Sequence, residues 1–108
     1  MDKRALIERI LALPVDIGDA EKLVMTTSQA VHVAEEQVAD MERDAILSGA
    51  ITGKNEAERK AQLATLTARA RQVVVEKEIA QNMARVNYNQ LTNEFRALRT
   101  VAGLLNEE

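Results

Sequence analysis

The segment SGAITGKN, residues 48–55, separates two long runs of helix-forming residues and decides the fold. Gly49 suits the left-handed residue that ends a helix. Asn55, followed three residues later by Glu58, fits an N-cap and its acidic partner at the positive end of a new helix. A loop this short makes its two helices antiparallel neighbours, so the sequence predicts a hairpin that bends at Gly49–Asn55.

Heptad patterns flank this turn on both sides. Apolar residues from Ile17 to Ala45 alternate at spacings of three and four, and a similar pattern extends from Leu63 to Leu105. Such a seam is typical of helices that pack as a coiled coil. The fold class predicted is therefore all-α, a long antiparallel coiled-coil helical hairpin with helices over residues 16–48 and 55–105.

The pairing of the two arms follows from the position of the turn. A hairpin that bends at residues 48–55 pairs residue i with about residue 103 − i, so residues 2–17 are needed opposite the end of the second arm. Helix 2–13 thus continues the first arm, and we expect a break or offset at Pro14, which cannot form the interior hydrogen bond. In the second arm, consecutive spacings of four join two heptad registers at Ala80, Ala84 and Tyr88, a stutter that locally unwinds a supercoil.

Charge supports this pairing. Residues 16–48 contain two basic and eight acidic residues, a net charge of −6. Residues 54–105 contain nine basic and five acidic residues, a net charge of +4. An acidic helix beside a basic one helps to set the orientation of a coiled coil.

Composition excludes several classes of protein. The chain has 108 residues, which predicts one domain over 1–108, and it has no cysteine, so disulfide scaffolds and thiolate zinc sites are excluded. No apolar run is long enough to span a membrane. The N-terminal residues do not follow a secretory signal pattern, so a cytoplasmic location is expected.

A two-helix hairpin of this size buries little apolar surface. We therefore predict that its apolar end self-associates into a helical bundle, as a four-helix dimer or a higher homo-oligomer; the alternative is a three-helix monomer. The predicted oligomer interface consists of Leu6, Ile7, Ile10, Leu11, Tyr88, Leu91, Phe95 and Leu98.

No motif predicts catalysis, a metal or a cofactor. The turn resembles a phosphate-binding loop but lacks the motif's spacing, its Ser or Thr after Lys54, and a preceding strand. Anion binding by the amides of the helix start remains an alternative. His32 has Glu35 and Glu36 at helical metal-pair spacing, but no second histidine accompanies it, and the nearby carboxylates are spread around their helix. A smooth hairpin has no large concave pocket, so we expect a protein that is not an enzyme.

The basic stretch of the second arm offers an alternative function. Arg69, Arg71 and Arg85 are candidate nucleic-acid contacts. The chain is acidic overall, with a net charge of −3, and lacks exposed aromatic residues for base stacking. Nucleic acid is therefore the less favoured partner, behind an unidentified protein.

The sequence ILSGAITGKNEAER, residues 46–59, resembles a turn in small uncharacterised helical proteins of phages and prophages. These proteins share a Gly-x-Ile-x-Gly-Lys-Asn core followed by a helix start rich in Glu and Arg. The resemblance implies a phage accessory, assembly or inhibitor factor that acts in the bacterial cytoplasm, and it implies no site residues. The function predicted is a non-enzymatic, oligomerising coiled-coil protein that binds another macromolecule; the partner, the process and the oligomer number stay open.

Overall fold

Two α-helices make up almost all of the computed structural model, which describes residues 2–106. Helix α1 spans Lys3–Leu47, helix α2 spans Glu56–Asn106, and residues 48–55 join them. No strand occurs within residues 2–106. The all-α helical hairpin predicted from the sequence is confirmed.

The chain divides into two compact units, each containing part of both helices. We call residues 1–26 with 81–108 the terminal unit, and residues 27–80 the turn unit. In α2 the division falls between Ala80 and Gln81, where the sequence predicts the stutter between heptad registers.

Helix α1 begins at a side-chain cap and continues through Pro14. The amide of Ala5 donates to the Asp2 carboxylate at 2.7 Å, which satisfies one of the free amides of the first turn. The predicted break at Pro14 is wrong, because one helix runs from Lys3 to Leu47. The Arg9–Asp16 ion pair, at 3.2 Å, links the turns before and after the proline, and Leu13 beside it is fully buried. These contacts favour the helical conformation on both sides of the missing hydrogen bond.

The helices of the terminal unit pack antiparallel around a narrow apolar core. Near its N-terminus α1 lies beside the end of α2, where Ile7 and Ala102 line one depression, whereas Ile17 lies beside Phe95. The buried apolar side chains are Leu6, Leu13, Ala20 and Ala84. Two of these four are alanines, so the helices approach closely but bury little apolar area.

A buried threonine lies at the centre of the turn unit. Thr67 is fully buried; its hydroxyl donates to the Leu63 carbonyl at 2.7 Å and accepts from Arg71 Nε at 2.9 Å. Arg71 also forms an ion pair with Glu42, so this network joins α2 to α1. Val31 and Ala34 are the buried apolar residues of this unit.

The turn has the caps that the sequence predicts. Gly49 has a positive φ of 77°, the left-handed conformation expected where α1 ends. The Glu58 amide donates to Asn55 Oδ1 at 2.9 Å, and the Lys54 amide donates to the Glu58 carboxylate at 2.7 Å. In a standard capping box the Glu58 carboxylate would accept from the amide of the cap residue, Asn55. Here it accepts from the amide of the preceding residue, Lys54.

The pairing of the two arms differs from the simple rule both in the terminal unit, where Ile17 lies beside Phe95 rather than about residue 86, and near the turn. The rule puts Glu42 opposite about residue 61, but Glu42 pairs with Arg71. The loop explains this shift, because Gln62 Oε1 accepts from the amides of Thr52, at 3.0 Å, and Gly53, at 2.8 Å. The first turns of α2 therefore pair with the loop, and α1 meets residues further along α2.

Candidate interaction surfaces

The chain exposes more surface than its mass requires. Its accessible area is 7962 Å². A monomeric globular protein of 11.9 kDa exposes roughly 6,000 Å². Within residues 2–106 the buried residues are six hydrophobic side chains and Thr67. The excess, roughly 2,000 Å² per chain, is larger than the roughly 800 Å² that a standard protein–protein interface buries on each partner.

The predicted oligomer-interface residues fall into two groups. Leu6 is buried. Five others are half-buried: Ile10, Tyr88, Leu91, Phe95 and Leu98. Most of the set therefore lies at the seam between α1 and α2 of the terminal unit. Only Ile7, 50% exposed, and Leu11, 72% exposed, are turned substantially toward solvent.

An outer apolar stripe runs along α1 of the terminal unit. It consists of Ile7, Leu11 and Val15, which is 66% exposed. Residues four apart lie on the same side of a helix, one turn above another. Sequence reasoning missed Val15 because it treated Pro14 as a helix boundary; the spacing of four from Leu11 would have identified it. Three large apolar side chains in successive turns form the most continuous exposed apolar surface of this segment.

A basic groove lies between the helices of the terminal unit. It encloses about 670 Å³. Its lining combines an apolar floor with arginine and threonine side chains: Pro14, Ile17, Thr92, Phe95, Arg96, Arg99 and Thr100. The Arg99 guanidinium carbon lies 5.8 Å from the centre of the Phe95 ring, a cation–π contact that holds the charge beside the apolar floor.

The arginines of this groove are available to a partner. Arg96 and Arg99 are exposed, and neither forms an ion pair with any residue in the described range 2–106. Arg85 lies about three helical turns before Arg96, on the same side of α2, and is likewise exposed and without an ion pair in that range. This side of the terminal unit therefore presents three uncompensated positive charges.

Arg9 forms the main polar link between the helices of this unit. Its guanidinium donates to both carboxylate oxygens of Glu94, at 2.7 and 2.9 Å, and to Asp16 at 3.2 Å. The hydrogen bond from Arg9 holds the pKa of the Glu94 carboxyl below its usual value, and the same bond raises the pKa of Arg9. A bidentate arginine–carboxylate pair has a defined geometry, so it helps to fix the register of the two helices.

The candidate nucleic-acid contacts do not converge. Arg69 and Arg71 are two residues apart and point to different sides of α2. Arg71 is engaged by Glu42 and Thr67, and Arg69 lies 3.8 Å from Glu76, so their charges are partly compensated. Arg85 belongs to the terminal unit and lies near the basic groove instead.

The other predicted or alternative sites show no converging ligands. His32 is exposed, and no group of three or more His, Asp or Glu residues in the described chain could hold a metal ion. At the turn, the Glu58 carboxylate already accepts from the Lys54 amide, and Asn55 accepts from Glu58. This internal carboxylate lies where an external anion would bind the helix start.

Comparisons with known proteins identify no relative. The chain matches no protein-family model, and its comparisons with curated proteins and with solved structures gave no significant match. Neither helix, over residues 3–47 and 56–106, contains a stretch both long and apolar enough to cross a membrane.

Proposed function

We propose that this protein is a non-enzymatic helical hairpin that self-associates and, as an oligomer, binds another macromolecule, in the first place a protein. The observation that carries the proposal is the outer stripe, where Ile7, Leu11 and Val15 lie exposed in successive turns of α1. The small core adds support, because an interface of ordinary size would cover part of the excess accessible surface of each chain.

Burial of this stripe would be favourable. A large aliphatic side chain that moves from water into a packed interface gains about 1.5–3 kcal/mol. Three such side chains, together with their symmetry mates, would offset the several kcal/mol lost when two chains associate. The same surface lies beside the half-buried seam, so self-association would extend the two-helix core into a bundle of four or more helices.

The biological setting of the proposal comes from the turn sequence. Residues 46–59 resemble those of small phage and prophage helical proteins, which supports a phage accessory, assembly or inhibitor factor that acts in the host cytoplasm. An oligomer of helical hairpins would serve this role by presenting repeated helix surfaces to a partner. No catalytic step is part of the proposal.

Sedimentation velocity over a range of micromolar concentrations tests the self-association. The wild-type chain is expected to sediment as a dimer or larger species that dissociates on dilution. Leu11→Glu puts a charge into the outer stripe and is expected to weaken association at least tenfold, equivalent to about 1.4 kcal/mol. Ala12→Glu is the matched control, because Ala12 is exposed on α1 but lies outside the stripe.

Two results would overturn this proposal. The first is a wild-type chain that stays monomeric across the whole range. The second is equal association of Leu11→Glu and Ala12→Glu, since the stripe would then make no contribution.

A further inference from the structure

We propose that the basic groove of the terminal unit binds an acidic stripe on the turn unit of a second copy of this chain. The acidic stripe consists of Val33, Glu36, Asp40, Asp44 and Leu47 on α1. The inference rests on the self-association proposed above and adds a second contact to the one proposed for the outer stripe.

The acidic stripe is an exposed surface on one side of α1. Its five residues are spaced by three or four, and all five are exposed. Val33 and Leu47, which is 77% exposed, put apolar side chains at its two ends. Between these ends lie the three carboxylates, so the stripe combines apolar and negatively charged groups.

The carboxylates of this stripe repel one another. Glu36, Asp40 and Asp44 follow at intervals of four residues, a spacing at which like charges destabilise a helix. Asp40 has an exposed partner in Arg43, at 2.9 Å. Glu36 and Asp44 form no ion pair with any residue in the range 2–106. A basic surface from another chain would relieve this repulsion.

The positive charges of the basic groove also repel one another. Arg96 and Arg99 are three residues apart, so their like charges also repel, and Arg85 continues the positive surface along α2. On α2 the groove lining runs from Thr92 to Thr100, eight residues, as do the carboxylates from Glu36 to Asp44, so each span is about 12 Å long at 1.5 Å per residue. The two surfaces therefore match in length and are opposite in charge.

Charge also decides against the simplest alternative, in which two basic grooves face each other. That arrangement would bring the arginines of one copy close to those of the other, and like charges across an interface are unfavourable. The acidic stripe instead brings carboxylates to Arg96 and Arg99. Its terminal Val33 or Leu47 would reach the apolar floor at Phe95.

Charge reversal in the full-length chain tests the pairing. The basic-groove variant is Arg96→Glu with Arg99→Glu, and the acidic-stripe variant is Glu36→Lys with Asp40→Lys. Each variant alone is expected to self-associate at least tenfold more weakly than the wild type by sedimentation velocity. A mixture of the two is expected to recover association to within about threefold of the wild type, because every contact then joins opposite charges.

Matched controls separate local contact from net charge. Lys54→Glu with Lys77→Glu makes the same change in net charge as the basic-groove variant, at exposed positions outside both surfaces. It is expected to associate like the wild type. Circular dichroism checks the folding of each variant. Because the substituted side chains are all exposed, each variant is expected to have the helix content of the wild type.

The outcomes distinguish this inference from the proposed function. If the wild type associates and Leu11→Glu weakens it, but both charge reversals behave like the wild type, the groove–stripe pairing is refuted while self-association stands. If the two variants fail to associate when mixed, the pairing is likewise refuted. If the wild type is monomeric at every concentration, the proposed function itself fails.

Discussion

Replacement of Leu13 by alanine probes the part of the fold that holds the two helices of the terminal unit together. Leu13 is the largest fully buried apolar side chain of the described residues, at 0% exposure. Leu11, two positions earlier on the same helix, is 72% exposed. The same substitution at these two positions therefore compares a core side chain with one of the proposed interface.

The expected cost at Leu13 follows from its burial. Leu-to-Ala changes in protein cores cost about 2.7–5 kcal/mol, through lost apolar transfer energy and the cavity left behind. The small core of this unit can close partly around a cavity, so we expect about 3 kcal/mol for Leu13→Ala. At about 4–8 °C per kcal/mol for a chain of this size, Tm should fall by about 15 °C.

Thermal unfolding, followed by circular dichroism at a low and a high protein concentration, distinguishes the two positions. Leu13→Ala should lower Tm at both concentrations, because it removes an intramolecular contact. Leu11→Ala should lower Tm mainly at the high concentration, because association stabilises the folded chain by mass action. A loss of less than about 1 kcal/mol for Leu13→Ala, or a similar loss for both variants when dilute, would refute this reasoning.

Four further substitutions test local features of the structure by equilibrium unfolding. Gly49→Ala should destabilise the chain by about 1–2 kcal/mol, because Gly49 has a positive φ of 77°. Gly18→Ala, at an open position on α1, should instead stabilise the chain by about 0.5–1 kcal/mol. Equal effects of the two substitutions would contradict this. The pKa of Glu94 is lowered by Arg9, so its contribution to stability is present above its usual pKa of 4.5 and is lost as the pH falls below that value. Glu94→Gln should therefore have a lower urea midpoint than the wild type at pH 7, with the difference shrinking as the pH falls below 4.5; a constant difference would contradict this. Pro14→Ala should restore a helical hydrogen bond and stabilise the chain by about 2–3 kcal/mol, whereas a loss of stability would show that the proline has a structural role.

Local signals in the sequence predicted the turn and the two helices. The left-handed Gly49 and the Asn55 cap depend only on residues within a few positions, so their roles could be predicted directly. The heptad pattern predicted the inner side of α1, whereas in α2 the predicted seam residue Leu66 is 49% exposed and Thr67 beside it is buried instead. Buried Leu6, Leu13, Ala20, Val31 and Ala34 all lie on the inner side of α1.

Features that depend on tertiary contacts could not be predicted in the same way. Helix α1 continues through Pro14, beside the Arg9–Asp16 ion pair and the buried side chain of Leu13. The helix propensity of proline alone takes no account of either contact. The shifted pairing near the turn depends on Gln62 folding the loop against α2. Heptad periodicity also identified apolar residues without showing that most of them pack within one chain. Val15 was missed because Pro14 was treated as the end of a helix.

Native mass spectrometry of the unmodified chain tests most directly the claim that its exposed apolar surface is covered by further copies. Species at multiples of 11.9 kDa should grow with micromolar concentration and disappear on dilution. A single species at 11.9 kDa across the whole range would contradict it.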